Sequence, residues 1–217
     1  MIETGILFDD IHSYYDLNLI LSVSEIPPAS PKTSYIDIPG ADGSLDLTET
    51  HGEVKFSDRE CKFTFTVHPQ SDSTWEEKKT EVSNLLNGKR CKITLDKDDE
   101  FYYLGRCSVD EYASDKRINK IVISAKVNPY KFKQYVTTVN AELSGGQKTL
   151  NIMNGRKTVS PTIICTNDNT IVTFEGNAYN MSAGKHKFLN IQFKEGNNSV
   201  TVSGNGAVTF EFQEGEL

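Results

Sequence analysis

No stretch of this 217-residue chain approaches the roughly 20 apolar residues of a membrane-crossing helix. A membrane partner is therefore not expected. The residues Met1-Ile2-Glu3-Thr4-Gly5 lack a basic segment followed by an apolar run. No secretion signal is read, and folding in a cytoplasm is expected. The four cysteines form no CxxC pair, so in an unexported chain neither a disulfide nor a zinc knuckle is expected. Basic charge is also in short supply: 23 Lys and Arg stand against 30 Asp and Glu, a formal net charge of −7. Residues 1–133 hold 17 and 23 of these, and residues 134–217 hold 6 and 7, so the excess is N-terminal. Such a surface repels phosphate, which argues against a dedicated nucleic-acid binder.

The motifs of catalysis are missing too. His12, His51, His68 and His186 stand at neither HxxxH nor HExxH spacing and read as surface or turn residues. There is no GxSxG elbow, P-loop or GxGxxG. Two acidic clusters invite a calcium test: Asp37, Asp42 and Asp46 around a glycine turn, and Asp96, Asp98, Asp99 and Glu100 in a hairpin loop. Neither has the alternating ligand spacing of an EF-hand loop, so solvated turns are expected. The reading is a non-enzyme with no cofactor and no metal.

What the chain does have is alternation. Lys62-Phe63-Thr64-Phe65-Thr66-Val67 puts Phe on one face and Thr on the other, the signature of a strand with one buried side. Ile121, Ile123, Ala125 and Val127 repeat the pattern, as do Leu189, Ile191 and Phe193, and Val208, Phe210 and Phe212. Each cysteine falls in step with apolar neighbours: Cys61 with Phe63, Cys91 with Ile93, Cys107 with Val109, Cys165 with Ile163. All four are expected to be small buried hydrophobes. One helix interrupts the strands. Ser73-Thr74-Trp75-Glu76 fits a capping box, Trp75, Lys79, Val82 and Leu86 recur at helical spacing, and Gly88 is a stop. The only Trp is read as a core anchor. Composition shifts across residues 130–146, after Asn128-Pro129-Tyr130. The expected fold is mainly β: a sandwich or barrel-like domain with one helix over 1–133, then a small β-sandwich over 134–217.

One segment reads differently. Pro27, Pro28 and Pro31 favour an extended approach to a hairpin in which Ile36 and Ile38 precede Asp42-Gly43, and Leu45 and Leu47 follow. A two-stranded hairpin is marginal alone, so its apolar stripe needs a cover. Ile36, Ile38, Leu45 and Leu47 are therefore candidate oligomer contacts.

Several runs resemble the distal tail proteins of siphovirus-type phages. They are Gly5-Ile6-Leu7-Phe8-Asp9-Asp10-Ile11-His12-Ser13, Leu19-Ile20-Leu21-Ser22, Pro31-Lys32-Thr33, Ile36-Asp37-Ile38-Pro39-Gly40, Asp42-Gly43-Ser44-Leu45-Asp46-Leu47-Thr48 and Arg59. Asn128-Pro129-Tyr130 resembles the end of that family's N-terminal domain. The C-terminal runs Glu195 to Val202 and Phe212 to Leu217 resemble the closing strands of its galectin-like domain. The resemblance implies a structural virion protein at the tail tip or baseplate: a homo-oligomer, a six-fold ring that lets DNA pass. Its partners would be the tail tube protein, the tail-associated hub protein and, in many relatives, receptor-binding proteins. The alternative is a carbohydrate-binding adhesion module of the tail. In the C-terminal part only Tyr179 offers a sugar platform.

Overall fold

The computed structural model describes residues 5–50, 52–67, 72–114 and 118–217. His51 and His68 lie outside them. The chain divides into two compact units, Met1–Lys131 and Phe132–Leu217.

The first unit runs β1 (Ile6–Phe8), β2 (Ile11–His12), β3 (Ile20–Glu25), β4 (Tyr35–Asp37), β5 (Ser44–Asp46), β6 (Arg59–Val67), α1 (Asp72–Leu86), β7 (Arg90–Leu95), β8 (Asp98–Ser114) and β9 (Asn119–Val127). An antiparallel sheet follows the order β2-β1-β7-β8-β9-β6-β3. In β6 every second residue from Arg59 to Val67 is buried, as the Phe/Thr alternation requires. The sheet is curled. β1 and β6 are four places apart, a separation of about 19 Å in a flat sheet. Yet the Phe8 and Phe65 rings lie 6.4 Å apart in one core. This is the sandwich or barrel-like geometry that the sequence pattern implies.

α1 packs against β8 through a contact that periodicity does not reveal. The Tyr112 hydroxyl donates to Lys79 O at 2.9 Å and lies 2.5 Å from Ser83 Oγ, and its ring meets Trp75 edge-on at 6.2 Å. Trp75 is 7% exposed, and Val82 and Leu86 share its core. The helix begins at Asp72, earlier than a Ser73 cap implies, and the Ser73 side chain is not among those described. Gly88 ends it in the left-handed region, at φ 75°. Trp75→Ala is expected to cost about 3–5 kcal/mol. Native emission should be blue-shifted and move to the red on unfolding; a water-like native spectrum would contradict the burial.

The second unit runs β10 (Lys131–Lys133), β11 (Thr137–Asn154), β12 (Thr162–Cys165), β13 (Thr170–Phe174), β14 (Asn177–Met181), β15 (Gly184–Lys187), β16 (Gly196–Phe212) and β17 (Gly215–Glu216). β16 is the spine. β11 pairs with it from Thr137↔Phe212 to Asn154↔Gly196. On its other side β13 takes Val200 to Ser203 and β12 takes Val208 to Glu211. The ribbon turns between these halves, where Gly204 and Gly206 have φ of 128° and 91° and the β11 register slips between Ser144 and Gln147. Gly206 has no alternative: a Cβ there would meet Asn167 Oδ1 at 2.2 Å. Phe193 sits between the halves, against Phe174 of β13 and Phe210 and Phe212 of β16.

Two local readings need correction. Leu189, Ile191 and Phe193 do not form a strand: Leu189 is 78% exposed, and only Phe193 bridges, to Val159. Asp98, Asp99 and Glu100 belong to β8, and the β7–β8 turn is Asp96-Lys97 alone.

Candidate functional site

The candidate contacts sit on a hairpin with no core of its own. β4 and β5 form a separate two-stranded sheet, registered Tyr35↔Asp46, Ile36↔Leu45 and Asp37↔Ser44. Every residue from 31 to 46 is exposed. Ile36 and Leu45 face each other directly, at 52% and 50% exposure, and Ile38 is 49% exposed. Leu47 is half-buried. Its N–H donates to Ser34 O, so it belongs to the neck of the hairpin. Tyr35, which sequence reasoning passed over, is 57% exposed on the opposite side of the ladder from Ile36. The turn is also longer than an Asp-Gly pair suggests. It spans Ile38 to Gly43, with Gly40 and Gly43 both left-handed at φ 84° and 75°. Ile38 is thus a loop residue.

Local polar bonds hold the hairpin in shape. Ser44 Oγ donates to Asp37 Oδ1 at 2.5 Å, and the Thr48 N–H donates to Asp46 Oδ1 at 2.9 Å. The Thr48 hydroxyl and N–H keep the Asp46 carboxyl below its ordinary pKa. The acidic residues here thus serve the turn itself. Among the described residues no group of three or more His, Cys, Asp or Glu side chains is placed to hold a metal ion.

The base is tied down more firmly. Pro31 bridges Phe56, Lys32 N donates to Lys55 O at 2.7 Å, and Ser57 N donates to Ser30 O at 2.9 Å. Phe56 packs edge-on against Tyr130. Arg59, buried at 6% exposure, donates through Nε to Pro129 O at 2.7 Å and through one terminal nitrogen to Pro27 O at 3.4 Å. It lies 5.7 Å from the Tyr103 ring centroid. One guanidinium thus joins both ends of the excursion to the segment after β9. The sequence singles out Arg59 by resemblance; only the fold shows why.

Elsewhere the geometry gives little catalytic or ligand-selective order. His12 is not a free surface histidine: its Nε2 lies 3.1 Å from Asp96 Oδ1, and its Nδ1 accepts from the Tyr14 and Tyr15 N–H groups. His186 Nε2 bonds Ser182 O at 2.8 Å. A concavity of about 920 Å³ on the first unit mixes Glu25, Asp58, Glu60 and Asp110 with Lys62, Arg90, Arg106 and Lys126. It offers no single sign of charge. Tyr179 is half-buried against Phe188, at 5.1 Å between ring centroids. It is therefore not a free platform, although it borders a polar hollow with Asn190 and Gln192.

Fold and site together define an all-β, two-unit protein with one described helix and an exposed apolar hairpin. Residues 11–144 match the family described as phage tail protein RIFT-related domain, and the chain belongs to that family. The match takes in the Ile36 to Thr48 block and Asn128-Pro129-Tyr130. Among solved structures, the chain resembles the Dit protein (gp 19.1) of phage SPP1, described as a paradigm of the hub adsorption apparatus in phages that infect Gram-positive bacteria. The TM-score is 0.72 at 13% identity, over 99% of each chain, so the shared fold extends through the second unit. No curated protein matches the chain.

Proposed function

We propose that this chain is a non-enzymatic structural component of the distal tail of a long-tailed phage or prophage. Copies join head to tail through the β4–β5 hairpin into a ring, a six-fold one by resemblance. The ring links the tail tube protein to the tail-tip hub and lets DNA pass. The observation that carries this reading is the exposed Ile36–Leu45 pair on an excursion anchored at its base. In a heterologous contact the same patch meets the same partner surface at every step, which closes a ring when the rotation per step divides a full turn. Family membership and the SPP1 Dit fold support the tail assignment. The acidic balance of residues 1–133 suits a passage that must not retain DNA. By the same resemblance the first unit forms the ring and the second is the galectin-like module.

Replacing Ile36 and Leu45 together by Asp tests the contact. Neither side chain lies in the core, so the variant should keep its circular dichroism spectrum and melting temperature. It should sediment as a monomer at concentrations where the wild type forms rings. Rings that persist would remove the hairpin from the interface. The rival reading, saccharide binding by the second unit, has the Tyr179 hollow in its favour. Saturable binding of a cell-wall saccharide, abolished in Tyr179→Ala, would favour that reading.

A further inference from the structure

The four cysteines are all buried, as their phase implies, but they are not equivalent. Cys91 of β7 and Cys107 of β8 bring their Sγ atoms to 3.2 Å. Register explains the approach. Cys91 is paired with Gly105, and Cys107 lies two residues further along β8 on the same face. Gly105 places no side chain between them. Lys89 O and the Cys107 N–H, 2.8 Å apart, keep the strands together at this point, and Gly88 N donates to Cys107 O. A disulfide needs the sulfurs at about 2.05 Å, so closure must bring them about 1.2 Å nearer. Cys61 and Cys165 have no second thiol within bonding distance among the described residues; Cys165 instead meets the Met181 thioether at 3.8 Å.

We propose that Cys91 and Cys107 form a site of oxidative modification, a dithiol that peroxide converts to a cross-strand disulfide. The chemistry is balanced. One of the two sulfurs, as thiolate, attacks one peroxide oxygen, the O–O bond breaks, and a sulfenic acid and hydroxide result. The other sulfur then attacks the sulfenic sulfur, its proton leaves with the departing hydroxyl as water, and the S–S bond forms. Two thiols and one peroxide give one disulfide and two waters, two electrons passing from sulfur to oxygen. The two thiols share a hydrogen bond, which lowers the Cys91 pKa and raises that of Cys107. Both are buried, so peroxide reaches them through local opening and the reaction is slow. In a reducing cytoplasm the pair stays open; outside a cell nothing reopens a closed one.

Thiol counting on the full chain tests this. Protein purified with reductant, then denatured, should titrate four thiols. After hydrogen peroxide treatment in the folded state it should titrate two, its mass should fall by two hydrogens, and the Cys91 and Cys107 peptides should be linked. Cys91→Ser and Cys107→Ser should each form no link under the same treatment, whereas Cys61→Ser should fall from three thiols to one. The oxidised wild type should melt about 5–10 °C above the reduced protein, because the link closes a short loop. Four thiols surviving in the folded state, a link to Cys61 or Cys165, or a gain of oxygen without a link would overturn the proposal.

Discussion

Phe193→Ala is expected to unfold the second unit at temperatures where the first stays intact. Phe193 is fully buried and touches Phe174 of β13 and Phe210 and Phe212 of β16. Its backbone is fixed by paired bonds with Val159, Val159 N to Phe193 O at 3.0 Å and Phe193 N to Val159 O at 2.8 Å. The segment therefore cannot collapse into the space left by the ring. Removing a ring from such a site costs about 3–5 kcal/mol. A unit of this size has about 4–13 kcal/mol of stability in all, so the loss is a large share of it. The readout is built in. The only Trp, Trp75, lies in the first unit. The circular dichroism melt of the variant should gain an early phase, while the tryptophan transition stays where it was. If both shift together, the units are not energetically separate.

Gly105→Ala should have the complementary effect. Gly105 sits in the middle of the sheet, paired with Cys91 on one side and Val127 on the other. A Cβ there would stand 2.3 Å from Lys126 O and 2.6 Å from the Val127 Cα. Both are backbone atoms of β9, so no side-chain rotation relieves the clash. The β8 and β9 strands must separate, at a cost of about 2–4 kcal/mol. The Trp75 urea midpoint should fall while the second unit is unaffected. Gly146→Ala is the control, since a Cβ there meets nothing within 4 Å. A Gly105→Ala midpoint equal to that of Gly146→Ala would refute the close approach of β8 and β9.

These cases show where sequence reasoning reaches and where it stops. Period-two alternation located β6 and β9, and it put all four cysteines on the buried face, because side-chain direction in a strand follows from position alone. Helical spacing placed α1 for the same reason. The four hairpin residues were legible as an apolar stripe, but their partition was not. Ile36 and Leu45 are opposed, Ile38 lies in the turn and Leu47 in the neck, since loop length sets register. What the sequence could not reveal depends on contacts between distant segments. Arg59 reaching Pro27 and Pro129, Tyr112 holding α1, and the Cys91–Cys107 approach each need cross-strand register to be known. Leu189 misled because three alternating apolar residues imitate a strand when no ladder partner is available to test them.

The spine position of β16 also sets a timetable. The seven strands of the run β2-β1-β7-β8-β9-β6-β3 have all been synthesised once Val127 is made. The second unit must wait, because β11, β12 and β13 all hydrogen-bond to β16, the later-made strand Gly196–Phe212. At about 5–20 residues per second, ribosomes need roughly 4–17 s to travel from the end of β9 to the end of β16. During that interval β11 emerges with neither edge paired. Its stretch from Glu142 to Lys148, Glu-Leu-Ser-Gly-Gly-Gln-Lys, carries charge, two glycines and a single large apolar residue. Such a composition discourages pairing with the waiting edges of neighbouring nascent chains.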